Sequence, residues 1–157
     1  MRARALFLAF TAVALNARAA TRPVTLDDFS RFQDVRDPHV SPDGEWVLYT
    51  VTTSDAAADR ARTDIWQVKW NGSQQSRLTY GGDNHTAPRW SPDGKYISFL
   101  SSRAGGDARG NQVWVMERTG GEARQLTELK GRIASYEWSP DSTRLLLVYR
   151  EADGSEP

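Results

Sequence analysis

The chain has 157 residues, and loss of a secretion signal of about nineteen would leave about 138, room for one ordinary domain but not for two. It is 39% hydrophobic and 10% aromatic, which excludes wholesale disorder; twenty Lys and Arg balance twenty Asp and Glu, and removal of Arg2, Arg4 and Arg18 with the signal leaves seventeen against twenty, a net charge of about −3 that argues against a nucleic-acid footprint. With no Cys and only His39 and His85, disulfides, thiolate sites and a cysteine nucleophile are excluded, and a multi-histidine metal centre nearly so.

In chain order, residues 1–19 read as a signal peptide: basic Met1-Arg2-Ala3-Arg4, an apolar run from Ala5 to Leu15, and the cleavage pattern Ala17-Arg18-Ala19. Eleven apolar residues span only about 16 Å as a helix, roughly half of a bilayer's hydrocarbon core, so a membrane anchor is disfavoured. Residues 20–35 form an entry segment in which Thr25-Leu26-Asp27-Asp28-Phe29 predicts a helix start. Thr25 can cap, Asp28 completes the capping box, and Leu26, Phe29 and Phe32 make a narrow apolar stripe.

From residue 36 the chain repeats. Ser41-Pro42-Asp43-Gly44, Ser91-Pro92-Asp93-Gly94 and Ser139-Pro140-Asp141-Ser142 lie 50 and 48 residues apart. Trp66 and Trp114 are separated by 48, as are Arg77-Leu78-Thr79 and Gln125-Leu126-Thr127. Proline fixes an early φ, Ser and Asp bond nearby amides and glycine takes a positive φ, so each tetrapeptide predicts a hairpin turn. After the turns, Val47, Ile97 and Leu145 share one position, and Tyr49, Phe99 and Leu147 the position two further on. Period two with apolar filling predicts a buried strand face in each copy. A polar connection (Ser54 to Thr63; Arg103 to Asn111), the Trp strand, a glycine turn at Asn71-Gly72 or Gly120-Gly121, and a short strand ending in Leu-Thr complete the unit.

The unit is four antiparallel strands, and the fold class is all-β: an incomplete β-propeller of about two and a half blades, over about residues 36–80, 81–128 and 129–157, the last unfinished. A β-sandwich would not require this repeated order. Seven or eight such blades would need roughly 340 to 390 residues, so the chain is expected to be the amino-terminal piece of a longer protein.

Four Trp (66, 90, 114 and 138) recur at repeat positions and are assigned to core packing instead of stacking on sugars or bases. Asp43, Asp93 and Asp141 are too far apart for a calcium loop and are assigned to turns. His85, amid Gly81-Gly82-Asp83-Asn84, is assigned to a surface loop between blades, and His39 to a structural place in the first strand. Asn71-Gly72-Ser73 and Asn84-His85-Thr86 fit the glycosylation sequon, which matters only in a eukaryotic host. No catalytic, cofactor-binding or metal-binding residue is assigned to the chain.

The Ser-Pro-Asp-Gly hairpins, the form Trp90-Ser91-Pro92-Asp93-Gly94-Lys95 and the Leu-Thr endings resemble the propeller repeats shared by TolB-like proteins and the prolyl oligopeptidase family, over about residues 36–150. Thr25-Leu26-Asp27-Asp28-Phe29 followed by Val35 to Gly44 resembles the amino-terminal entry of acylaminoacyl and dipeptidyl peptidases of that family. The resemblance implies an exported, periplasmic or extracellular serine peptidase. Its carboxy-terminal α/β-hydrolase domain would be the partner and small peptides the substrate, with the propeller gating access to a Ser-His-Asp triad. The chain departs from this pattern in lacking Gly-x-Ser-x-Gly, so it is expected to be inactive alone. It also lacks the Glu-Glu pair that dipeptidyl peptidases use to hold a substrate amine. The alternative is a non-enzymatic periplasmic TolB-like propeller that binds a protein partner.

Overall fold

A computed structural model describes residues 22–25, 28, 31–55, 59–81, 84–103 and 110–151. Among the described residues the regular elements are ten strands. A first sheet holds β1 (Gln33–Val40), β2 (Trp46–Asp55), β3 (Arg60–Lys69) and β4 (Ser76–Arg77); a second holds β5 (His85–Trp90), β6 (Tyr96–Ser101), β7 (Gln112–Glu117) and β8 (Arg124–Gln125). β9 (Gly131–Trp138) and β10 (Leu145–Glu151) form a third. All pairings are antiparallel between chain neighbours. The expected four-strand unit is therefore present twice, and its first half a third time. β2 and β3 run further than expected, to Asp55 and from Arg60, so the polar connection is shorter than Ser54 to Thr63.

The turns form for the expected reason. Gly44 donates its N–H to the Ser41 carbonyl at 2.8 Å and Gly94 to Ser91 at 2.8 Å, with φ of +75° and +69°. In each copy the Ser hydroxyl donates to the Asp carboxylate (Ser41 to Asp43, 2.5 Å; Ser91 to Asp93, 2.6 Å; Ser139 to Asp141, 2.5 Å). The same oxygen accepts the N–H of Trp46, Tyr96 or Arg144 at 2.9 Å. The third copy has Ser142 where the others have glycine, at φ +60°, and its hydroxyl accepts the Asp93 N–H at 2.9 Å, tying the third turn to the second.

Period two governs the packing. Ile97, Phe99, Trp114 and Met116 cover one face of the second sheet and pack on Leu48 and Ile65 of the first, with Trp90. Leu100 and Val113 cover its other face and pack on Ile133 and Tyr136 of the third, with Leu145 and Leu147. Each sheet therefore offers its Leu145-type face to the sheet before and its Leu48-type face to the sheet after. Among the described residues no sheet covers the far face of the third, where Leu146 is 73% and Val148 57% exposed. Trp66 and Trp114 hold equivalent register, opposite Tyr49 and Phe99 on one side and Arg77 and Gln125 on the other.

The signal segment 1–19 lies outside the described residues. Of the entry segment, Thr25 donates its N–H to the Asp28 carboxylate at 2.8 Å, one half of the expected capping box, and Arg22 also pairs with Asp28. Leu26 and Phe29 of the expected stripe lie outside the described residues, and Phe32 is exposed.

Candidate functional site

The first strands β1 and β5 touch across the first two sheets, β9 reaches β5 through Tyr136, and ionisable side chains of β1 and β5 gather there. β1 and β5 carry matching bulges, between Arg36 and His39 and between Thr86 and Arg89, with Asp37 at φ +53° and Ala87 at +51°. Residues other than glycine avoid this region, and such strain re-aims the following side chains. After the bulge, His39 Nε2 lies 2.8 Å from the Asp37 carboxylate. Arg89 crosses from β5: its Nη1 is 3.2 and 3.3 Å from the two Asp37 oxygens, 2.5 Å from His39 Nε2, and donates to the Pro88 carbonyl at 2.8 Å. These three side chains are partly exposed, at 35%, 34% and 24% for Asp37, His39 and Arg89.

A second tier lies beneath. Trp90 donates its indole N–H to the His39 carbonyl at 3.1 Å. Tyr136 Oη donates to the Ala87 carbonyl at 2.8 Å and is 2.9 Å from Ser98 Oγ, which accepts the Trp138 indole N–H at 2.8 Å. Burial pushes the Tyr136 phenol above its ordinary range, so it stays protonated and a donor. The charges of Arg89 and Asp37 act on that phenol. The cluster thus offers a carboxylate, an imidazole and a guanidinium on one partly open edge, groups that bind charged ligand ends and exchange protons.

Sequence reasoning placed His39 in the first strand but missed Asp37 and Arg89 as its partners. The signal was present: His39, Arg89 and Glu137 each stand two residues before a Ser-Pro-Asp turn, an ionisable group at the same repeat position three times. His85 is a correction. It opens β5, is fully buried, and meets the edge of Phe99 with ring centroids 5.6 Å apart, instead of lying in a surface loop. Its repeat equivalent is buried Ile133, so the position packs between sheets whatever its polarity. The sequon residue Asn84 accepts the Thr63 N–H at 3.0 Å, whereas Asn71 sits in an exposed turn and accepts from Ser73. The three turn aspartates stay on separate hairpins; Asp43 also pairs with Arg118 of the second sheet at 2.7 Å. Trp90 and Trp114 are buried in the core, and Trp66 and Trp138 are half-buried.

Residues 25–156 match the TolB beta propeller domain family. The chain is 33% identical over 86 residues to YuxL, an uncharacterized peptidase of Bacillus subtilis, covering 55% of this chain and 13% of the relative. It is 33% identical over 82 residues to dipeptidyl-peptidase 5 of Porphyromonas gingivalis, covering 52% of this chain and 12% of the relative. Among solved structures, an acylaminoacyl peptidase of Pyrococcus horikoshii aligns with a TM-score of 0.66 and 26% identity over 82% of this chain and 19% of that one. The propeller domain of the Trilobed protease of Pyrococcus furiosus, described as having an open velcro topology, aligns at 0.59 and 29% over 76% and 34%. A putative TolB of Agrobacterium tumefaciens aligns at 0.58 and 27% over 76% and 40%. The chain therefore spans a small fraction of the peptidases it matches.

Proposed function

Since the chain belongs to the TolB β-propeller domain family, we propose that it is the amino-terminal propeller portion of an exported serine peptidase of the prolyl oligopeptidase family. In this reading residues 1–19 direct export, residues 36–157 begin a propeller, and hydrolysis belongs to an α/β-hydrolase domain outside the chain. The propeller admits small peptides by steric exclusion and orients them by the charged edge at β1 and β5. The observation that carries it is the one-third identity to two peptidases over about half of the chain, on a fold aligned at 0.66 with a peptidase's. The basic start, apolar run and Ala-x-Ala pattern support export. The mixed charges of Asp37, His39 and Arg89 suit zwitterionic peptide ends.

The likeness to the putative TolB favours a second reading, a non-enzymatic periplasmic propeller that binds a protein partner. Expression of the complete gene followed by fluorophosphonate labelling separates the two. The peptidase reading expects a labelled serine in a Gly-x-Ser-x-Gly setting beyond Pro157, hydrolysis of short aminoacyl amides, and no label on residues 1–157. An unlabelled complete product with no such motif refutes it in favour of the binder.

A further inference from the structure

His39 Nε2 stands between two groups that make opposite demands on it. It lies 2.8 Å from an Asp37 oxygen and 2.5 Å from Arg89 Nη1. A ring nitrogen carries either a lone pair or a proton. With the lone pair it accepts from Arg89 and turns that pair toward a carboxylate oxygen. With the proton it donates to Asp37 and confronts a guanidinium N–H. The two contacts are never favourable together, so the cluster has two arrangements, and the proton on one nitrogen chooses between them.

We propose that His39 is a proton-operated latch on Arg89, and that the released guanidinium is a binding site for a peptide carboxylate. In the neutral state with the proton on Nδ1, Nε2 holds Arg89 against the first sheet, where Asp37 neutralises it. On protonation, Nε2–H passes to Asp37, the imidazolium repels Arg89, and the guanidinium swings off Asp37 to the open edge. A free guanidinium presents a planar fork that pairs two-pronged with a carboxylate.

The charged groups that meet His39 are Asp37, on its own strand, and Arg89, from β5. Tyr136, from β9, stays neutral. β2 contributes only uncharged neighbours, Leu48 opposite His39 and Thr50 beside it, the latter bonded to the Arg36 carbonyl. Arg36 is occupied by Asp34 at 2.6 Å. Protonation therefore leaves Asp37 with two cations, and Arg89, which reaches it on the longer stem from the neighbouring sheet, departs.

The carboxylate half rests on the peptide-handling reading above, whereas the latch does not, and the experiment separates them. The full chain, labelled with 15N, is titrated between about pH 8 and pH 5, where an imidazole ordinarily changes charge. The latch predicts that the Arg89 side-chain nitrogen signals shift with the same midpoint as the His39 ring, and that the protection of the Arg89 N–H protons, taken against free arginine at the same pH, falls at least about tenfold at the acid end. In His39→Asn, which has no such proton to gain, the Arg89 signals stay flat. Arg89 signals that ignore the His39 titration in the native chain, or move equally in the variant, overturn the latch. Acetyl-Ala-Ala is then added at each end of the range. Its free acid should shift the Arg89 signals at the acid end only, and its amide at neither. An equal response to both, or none to the acid, overturns the carboxylate site while leaving the latch standing.

Discussion

Replacing Tyr136 by Phe removes one oxygen from the seam between the second and third sheets and leaves the apolar contacts in place. The phenol is 3% exposed, donates to the Ala87 carbonyl at 2.8 Å and lies 2.9 Å from Ser98 Oγ. Ser98 is fully buried and keeps the Trp138 indole as its donor. The variant thus takes the donor from the carbonyl of half-buried Ala87 and weakens one buried hydroxyl. Leaving buried partners unsatisfied costs about 1–3 kcal/mol, so a loss of roughly 2 kcal/mol is expected. Equilibrium urea unfolding, followed by tryptophan fluorescence, should show the midpoint falling by roughly 1 M with an unchanged slope, because the exposed surface is the same. In a double-mutant cycle with Ser98→Ala, the two losses should fail to add by about 1 kcal/mol, the mark of residues that share a bond. A loss under about 0.5 kcal/mol, or strict additivity, would refute the claim that this hydroxyl pair joins the sheets.

Ser142 carries both a left-handed backbone and the bond to Asp93. Ser142→Ala keeps the strain and loses the bond, for a loss of about 1 kcal/mol; Ser142→Gly loses the bond but relieves strain of similar size, for little net change. Urea midpoints check the pair, and a glycine variant as weak as the alanine one would contradict this balance. In each hairpin the Ser hydroxyl holds the Asp carboxyl below its ordinary range, helped at Asp43 by Arg118 and the Glu45 N–H, at Asp93 by the Lys95 N–H and at Asp141 by Thr143. Folding lowers these pKa values, so their stabilisation is complete at neutral pH and is lost as the pH falls from about 4 downward. Thermal melts from pH 6 to pH 2.5 should fall more steeply for the native chain than for the Asp43→Asn, Asp93→Asn, Asp141→Asn triple variant, and parallel slopes would sink this account.

The repeat was legible because each landmark has a local cause. The Ser-Pro-Asp turn is specified within six residues by its own hydrogen bonds, and alternation alone told which residues of β2, β6 and β10 share a face. The cluster of Asp37, His39 and Arg89 was not legible as a cluster, because Asp37 and Arg89 are 52 residues apart and meet only when two sheets stack. A bulge at a non-glycine residue, as at Asp37, has no local signature comparable to a glycine turn. His85 misled for a related reason. Its Gly-, Asp- and Asn-rich approach has loop composition, yet the residue itself opens β5 in a position that the stacking buries.

The account turns on each sheet showing one fixed face to the sheet before and the other to the sheet after. Methyl and aromatic NOE spectra of the isotope-labelled chain test this directly. Contacts are expected between Leu48 and the pair Ile97 and Phe99, and between Ile133 and the pair Leu100 and Val113, with none between Leu48 and Leu100. Contacts from Leu48 to Leu100 or Val113, or from Ile133 to Phe99, would mean that the second sheet is turned over and the stacked-sheet arrangement is wrong.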